Sequence, residues 1–238
     1  MRLIFIRHGE PDYSIDSLTE KGWREAAVLA ERVRKWEITR IYCSPLGRAK
    51  DTARASLRAL SQEAVIHPWL REFYISVEDP ETGKQRIPWD FLPRYWTKVP
   101  QFYEKDGWFR SPVMLTGNVE DAFTQVKEGI DALLREYGYE REGAFYRAAK
   151  NARREATLVF FCHLGVTATI LSHFLGIAQP LLTHGFFLAP ASVTVLHTEE
   201  REEGTAYFRI QVMGDTSHLA QAGEPVSQSG YFAEPFQG

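Results

Sequence analysis

The sequence is poor in features that mark several common protein classes. Its only two cysteines in 238 residues are Cys43 and Cys162, which form no CxxC pair and no histidine-cysteine spacing typical of structural zinc. No apolar run approaches the roughly 18 residues of a membrane span. Lysine plus arginine total 28 against 31 acidic residues, so the net charge of -3 gives no bulk reason to expect nucleic acid or an anionic membrane as partner.

Two cysteines without a pairing or zinc-binding pattern favour free buried thiols, which suit a protein in a reducing compartment. The apolar start at residues 3–6 is too short for a signal-peptide core, so we expect a soluble, cytoplasmic protein. A chain of 238 residues with 44% hydrophobic content is long enough to bury a full core. We interpret residues 1–238 as a single domain, and the sequence does not determine whether it acts as a monomer or a homodimer.

Short apolar runs alternate with segments of helical spacing along most of the chain. The predicted strands are residues 2–6, 40–43, 64–67, 156–162, 192–200 and 205–213. The predicted helices are residues 18–33, 45–60, 119–136 and 165–175, the second with Ser44 as its N-cap. Strands separated by helix-length segments indicate an α/β fold, a three-layer sandwich whose mostly parallel central sheet has helices on both faces.

Residues 73–117 break this periodicity and carry ten aromatic side chains. We interpret this stretch as an insertion near the edge of the sheet that holds the active site. Most of its rings are expected to form a satellite core, while a loop of this length also suits a lid or wall over a site. The Gly/Ser/Gln-containing tail after about Ala220 is typical of a poorly ordered segment.

Chemically useful side chains follow the ends of several predicted strands. Arg7 and His8 come after the first strand, Arg48 lies in the first turns of the helix after the second, Glu72 follows the third, and His163 ends the most apolar strand. Because open parallel sheets bind ligands at the carboxyl edge of their strands, we expect these side chains to meet there.

This combination of groups suits a phosphate ester. Two arginines offer forked donors for a tetrahedral dianion, and the N-termini of the following helices add backbone N–H groups. A neutral imidazole can attack phosphorus if its other nitrogen is held by an acceptor. A carboxyl group can protonate the leaving alkoxide, and a second imidazole can stabilise charge in the transition state. None of these steps requires a metal ion or a cofactor.

Five segments in order resemble the histidine phosphatase superfamily, also called phosphoglycerate mutase-like. They are "RHG" at 7–9, "SPLGRAKDTA" at 44–53, "LREF" at 70–73, "FFCHLGV" at 160–166 and "GDTSHL" at 214–219. The resemblance implies an α/β sandwich whose first histidine is transiently phosphorylated. It also implies a role for each matched residue: His8 as nucleophile, Arg7 and Arg48 as phosphate clamp, His163 as second pocket histidine, and Glu72 as proton donor.

The chain departs from the family pattern at two places. Pro11 and Ser14 stand where members often have a hydroxyl residue and an asparagine, and we expect the Ser14 hydroxyl to contact phosphate instead. Leu164 replaces the first glycine of the common H-G-G, and its backbone N–H is expected to remain a phosphate donor. Nearby carboxylates, Glu78, Asp79 and Glu81, are the alternatives to Glu72 as proton donor.

Three functions are compatible with this set of residues. The favoured one is a metal-independent phosphoric monoester hydrolase that forms a phosphohistidine on His8 and acts on a small phosphorylated substrate. The alternative is a phosphoglycerate mutase-type phosphoryl transferase. Such an enzyme needs extra cations to hold a second anionic group, and the insertion lacks the double-arginine run that mutases carry there. A non-catalytic phosphate-binding module is least favoured, because all the expected reactive groups are present. The aromatic insertion suggests a leaving group of apolar or ring character.

Overall fold

A computed structural model describes residues 1–237 and contains a central sheet flanked by helices. Twelve strands lie in the described residues: β1 Arg2–Arg7, β2 Pro11–Asp12, β3 Ser17–Leu18, β4 Arg40–Cys43, β5 Ala64–Ile66, β6 Val77–Glu78, β7 Gln85–Arg86, β8 Tyr139–Glu142, β9 Phe145–Ala148, β10 Thr157–Cys162, β11 Val193–Glu202 and β12 Thr205–Asp215. Seven α-helices lie there too: α1 Glu20–Val33, α2 Gly47–Leu60, α3 Pro93–Trp96, α4 Val119–Glu136, α5 Leu164–Leu175, α6 Gln179–Gly185 and α7 Ser217–Gln221.

Eight strands form the central sheet, in the order β5-β4-β10-β1-β11-β12-β9-β8. The half from β5 to β1 is parallel. Arg7 ends β1, His8 and His163 directly follow β1 and β10, and Arg48 lies in the helix after β4. The pairings from β1 through β11, β12 and β9 to β8 are antiparallel. The β8–β9 and β11–β12 pairs are antiparallel because tight hairpins connect them, and short turns allow only antiparallel neighbours.

The two faces of the sheet pack against different helices. Along β1, Ile4 and Ile6 belong to a buried cluster with side chains of α1 and α2. Leu3 and Phe5 point to the opposite face, where the core includes α4, α5 and the insertion. This alternation is what a strand covered on both sides requires. It confirms the α/β fold with helices on both faces that the sequence predicts.

A side-chain cap explains the start of α1 but not that of α2. Thr19 caps α1 by accepting a hydrogen bond from the Gly22 N–H at 3.1 Å. The predicted cap at Ser44 is wrong, because α2 begins at Gly47 with Leu46 as its N-cap. Ser44 instead forms a turn in which its hydroxyl accepts from the Leu46 N–H, and it contacts His163.

The insertion joins the main core and adds little regular structure of its own. It contains α3, the β6–β7 hairpin and three short 3₁₀ helices, at Pro100–Tyr103, Trp108–Arg110 and Met114–Thr116. A further 3₁₀ helix, Pro68–Leu70, lies just before it. Phe102 and Trp108 are fully buried and belong to the same cluster as α4 and α5. Most of its rings are therefore structural. In residues 1–237, no helix is both long enough and apolar enough to cross a bilayer.

Candidate active site

His8 lies at the carboxyl end of β1, held by backbone hydrogen bonds on both sides. Its N–H donates to the Cys162 carbonyl and its carbonyl accepts from the Ala191 N–H, both at 3.0 Å. In the side chain, Nδ1 lies 2.7 Å from the Gly9 carbonyl oxygen. A carbonyl only accepts, so Nδ1 carries the proton and Nε2 keeps its lone pair. The ring is thus oriented as a nucleophile.

Gly9 allows the loop after β1 to pass close to α1. A Cβ at this position would lie 2.8 Å from the Gly22 carbonyl oxygen, closer than side chains tolerate. The Gly9 N–H donates to Thr52 Oγ1 at 2.9 Å, and the same hydroxyl donates to the Arg48 carbonyl at 2.7 Å. Thr52 therefore links the His8 loop to α2. The sequence analysis did not identify this role, although Thr52 lies within the quoted segment 44–53.

His163 directly follows β10 and is the N-cap residue of α5. Its ring centroid lies 5.1 Å from that of His8. Its Nε2 is 2.7 Å from the Ser44 hydroxyl, whereas its buried Nδ1 has no partner among residues 1–237. If Nε2 accepts from Ser44, Nδ1 carries the proton and is a donor facing no protein group. Ser44 is a second positioning residue that the sequence analysis did not identify as part of the site.

Both imidazoles are neutral in this setting. Burial lowers the pKa of His8 well below its ordinary value, and the nearby Arg7 and Arg48 lower it further. Burial also lowers the pKa of His163, with added effects from His8 and Arg48. A neutral His8 has the free lone pair that attack on phosphorus needs.

The two arginines approach this pair of rings from different elements. Arg7 is 6% exposed, and its Nη1 donates to the Leu188 carbonyl at 2.5 Å. Arg48 Nη1 donates to Asp16 Oδ1 at 2.5 Å, and the side chain is 11% exposed. The Nε atoms of both arginines are buried and have no partner in the described part of the chain. Each guanidinium therefore keeps donor capacity for an anion.

Glu72 lies at the N-terminus of α5. Its Oε1 accepts from the Phe73 N–H at 2.8 Å and from the Val166 N–H at 3.1 Å. Burial raises the pKa of its carboxyl group, an effect opposed by these N–H donors and by Arg7. The alternatives are placed elsewhere: Glu78 is exposed, and Asp79 pairs with Arg86 in the β6–β7 hairpin.

The structure places Ser14 and Leu164 in different surroundings. Both are expected from the sequence to contact phosphate in place of the usual family residues. Ser14 is exposed, and both its N–H and its hydroxyl donate to Asp12 Oδ1, at 2.9 and 2.5 Å. The hydroxyl is thus engaged in a local turn and shows no contact with His8 or either arginine. Leu164 is the first residue of α5, so its backbone N–H is among those that the helix leaves unpaired next to His163.

The C-terminal tail packs against the site. Ser227 is buried and donates to Glu10 Oε2 at 2.6 Å. The Ser229 carbonyl lies 3.4 Å from Arg7 Nη2, and Tyr231 stacks on Phe187 with ring centroids 4.3 Å apart. The expectation of a poorly ordered segment after Ala220 is thus wrong for these residues.

The comparison with known families agrees with this geometry. A profile of the histidine phosphatase superfamily (branch 1) matches residues 3–210. The chain belongs to the histidine phosphatase superfamily. Membership confirms the resemblance seen in the sequence motifs.

Among curated relatives, the probable phosphoglycerate mutase GpmB of Photorhabdus laumondii is 33% identical over 86 residues, covering 32% of this chain and 40% of that protein. The chain thus matches less than half the length of such relatives. Among solved structures, a mycobacterial glucosyl-3-phosphoglycerate phosphatase has a TM-score of 0.60 at 19% identity, covering 90% of this chain and 99% of the other. An Entamoeba histolytica phosphoserine phosphatase mutant has a TM-score of 0.60 at 20% identity, covering 92% and 98%. These structures share the fold.

Proposed function

We propose that the protein is a phosphomonoesterase that works through a phosphohistidine on His8. One observation carries the proposal: buried donors on Arg7, Arg48 and His163 have no hydrogen-bond partner in residues 1–237. The His8 ring lies near them, with its centroid 5.1 Å from that of His163 and with both arginines close enough to lower its pKa. Donors buried without acceptors are costly unless an anion satisfies them. A phosphoryl group placed against His8 Nε2 would do so.

The proposed reaction has two steps. In the first, His8 Nε2 forms a bond to phosphorus, the ester P–O bond breaks, and Glu72 gives its proton to the leaving oxygen. In the second, water attacks the phosphorus and gives a proton to Glu72. The P–N bond then breaks, which releases inorganic phosphate and restores neutral His8. The arginines and the His163 donor stabilise charge on the phosphoryl oxygens in both steps.

Hydrolysis is favoured over the mutase reaction by the charges around the insertion. A mutase must retain a second anionic group, which calls for additional unpaired cations. The insertion arginines Arg86, Arg94 and Arg110 pair with Asp79, Glu81 and Glu120 respectively. The phosphatases among the structural relatives agree with hydrolysis, whereas the names of the curated relatives favour the mutase as second candidate.

The pocket and the two cysteines also indicate the class of substrate and the cellular compartment. The substrate is a small phosphorylated molecule, as a pocket built around one phosphoryl group requires. Cys43 and Cys162 are buried and free, which fits a reducing compartment such as the cytoplasm.

A phosphate-release assay in excess chelator tests the proposal. Purified protein should release inorganic phosphate from simple monoesters without added divalent cation, and should isomerise 3-phosphoglycerate poorly. The same assay with His8→Ala provides the matched control. Fast interconversion of phosphoglycerates without phosphate release would favour the mutase, and activity that needs an added metal would contradict the metal-free mechanism.

A further inference from the structure

Trp89 is an insertion residue whose side chain lies close to Glu72, the candidate proton donor. It follows β7 and is partly buried. The nearest atoms to a Cβ built on Gly165 would be Glu72 Oε1 at 2.6 Å and Trp89 Cη2 at 2.7 Å. The carboxylate oxygen of Glu72 and the benzo end of the Trp89 indole therefore both lie beside the Gly165 backbone, in the first turn of α5.

This placement puts the indole beside the leaving group of any ester that His8 attacks. Glu72 can protonate the leaving oxygen only from hydrogen-bond distance, so the first carbons of the leaving group lie within a few ångströms of its carboxyl group. The Trp89 ring end lies next to that carboxyl group. The side chain is also supported from behind, because Phe73 stacks on it with ring centroids 6.5 Å apart.

Two further aromatic rings lie beside the arginines of the pocket. Tyr13 is 66% exposed, and its ring lies 5.4 Å from the Arg48 guanidinium carbon. Phe187 lies 5.7 Å from the Arg7 guanidinium carbon and stacks on Tyr231. Such rings contact flat or apolar groups better than charged ones.

We propose that Trp89 determines specificity by packing against the leaving group, and that the preferred substrates are phosphate monoesters of aromatic or similarly flat, apolar alcohols. This inference rests on the proposed function, because it assumes hydrolysis at His8 with Glu72 as the proton donor. It adds the chemical class of the alcohol and the residue that selects it. Exposed Arg71, the residue before Glu72, is the nearest feature in the chain that would favour an anionic leaving group instead.

The test compares 2-naphthyl phosphate with phenyl phosphate, whose leaving groups are close in acidity. A substitution at Trp89 that also disturbs proton donation by Glu72 then slows both esters alike. The ratio of their kcat/KM values therefore reports contact with the larger ring. We expect the wild-type protein to prefer the naphthyl ester, and Trp89→Leu to lower the naphthyl-to-phenyl ratio by roughly 10-fold. Trp89→Phe, which keeps a ring, should restore part of the ratio.

The matched control is Trp96→Leu, which alters a tryptophan of the same insertion. Trp96 stacks on His184 with ring centroids 4.9 Å apart, and its replacement should leave the ratio unchanged. An unchanged ratio in folded Trp89→Leu protein would overturn the inference, as would a wild-type kcat/KM for 3-phosphoglycerate above that for both aryl esters. The proposed function fails separately, if no monoester yields phosphate and His8 is never phosphorylated.

Discussion

The Nδ1 atom of His8 lies 2.7 Å from the carbonyl oxygen of Gly9. This contact fixes the ring tautomer, because only a protonated Nδ1 can donate to a carbonyl. It also turns Nε2 towards the pocket that contains Arg7, Arg48 and His163. In the mechanism we propose, Arg7 binds the phosphoryl group and His8 attacks it, while the Gly9 carbonyl holds the ring.

Replacing Glu72 by glutamine should slow poor leaving groups more than good ones. An alkyl phosphate needs a proton on its leaving oxygen, whereas an activated aryl ester needs little assistance. The measurement is kcat/KM for both ester types in Glu72→Gln and in the control Glu78→Gln, whose carboxyl group is exposed. Equal losses on both esters in Glu72→Gln would argue against this residue as the acid.

Removing the Arg48 side chain should cost transition-state stabilisation. We expect Arg48→Ala to lower kcat/KM by an amount equivalent to about 2–4 kcal/mol, as for loss of a preorganised donor at developing charge. Arg54 is a matched control on the same helix, since its side chain is 53% exposed and pairs with Asp51. A loss in Arg54→Ala as large as that in Arg48→Ala would point to damage to α2 instead of to the clamp.

Ser44→Ala should affect the transition state through His163. Without the hydroxyl 2.7 Å from Nε2, the ring loses the contact that sets its tautomer and direction. We predict a lower kcat with little change in the affinity for inorganic phosphate as inhibitor. The measurement is kcat together with the phosphate inhibition constant, for Ser44→Ala and for Ser44→Thr as hydroxyl-keeping control. If phosphate affinity falls and kcat does not, Ser44 acts in binding instead.

Buried Glu25 should make stability depend on pH. Its Oε2 accepts from the Glu10 N–H at 2.7 Å, and burial raises the pKa of its carboxyl group from 4.5 to about 7. The folded state then holds a proton that the unfolded state loses between these values. The contribution of Glu25 to the free energy of unfolding therefore falls as pH rises from 4.5 through 7, by about 3 kcal/mol in total.

Denaturant unfolding of wild-type and Glu25→Gln protein at several pH values isolates this effect. The difference in the free energy of unfolding between the two proteins should shift in favour of Glu25→Gln as pH rises across that window. A difference that stays constant from pH 4.5 to 8 would mean that Glu25 titrates normally in the folded state.

The sequence predicts the parallel half of the fold and the meeting of its strand ends well. Periodicity identifies β1, β4, β5 and β10, and parallel strands bring the residues after them to one edge. The β8–β9 hairpin is hard to predict because its strands are four residues each and three of the four residues of β8 are charged. Gly143 between them, at φ 57°, was the available turn signal.

The contacts that orient the site are harder to predict. Ser44 meets His163 across 119 positions of the chain, and Thr52 meets Gly9 across 43. Neither pairing has a periodic pattern, because each depends on how adjacent strand ends sit in space. Ser14 shows the converse: its position in the motif suggests a pocket residue, yet a local hydrogen bond to Asp12 engages its hydroxyl.

The most direct test of the central claim is to trap the intermediate on His8. Protein quenched in alkali during turnover of a labelled monoester should carry the label as a phosphoramidate that survives base and hydrolyses in acid. Peptide mapping should place it on His8, with none on His163 or a hydroxyl residue, and folded His8→Ala should show neither label nor phosphate release. A His8→Ala protein that hydrolyses monoesters at near wild-type rate would contradict the account.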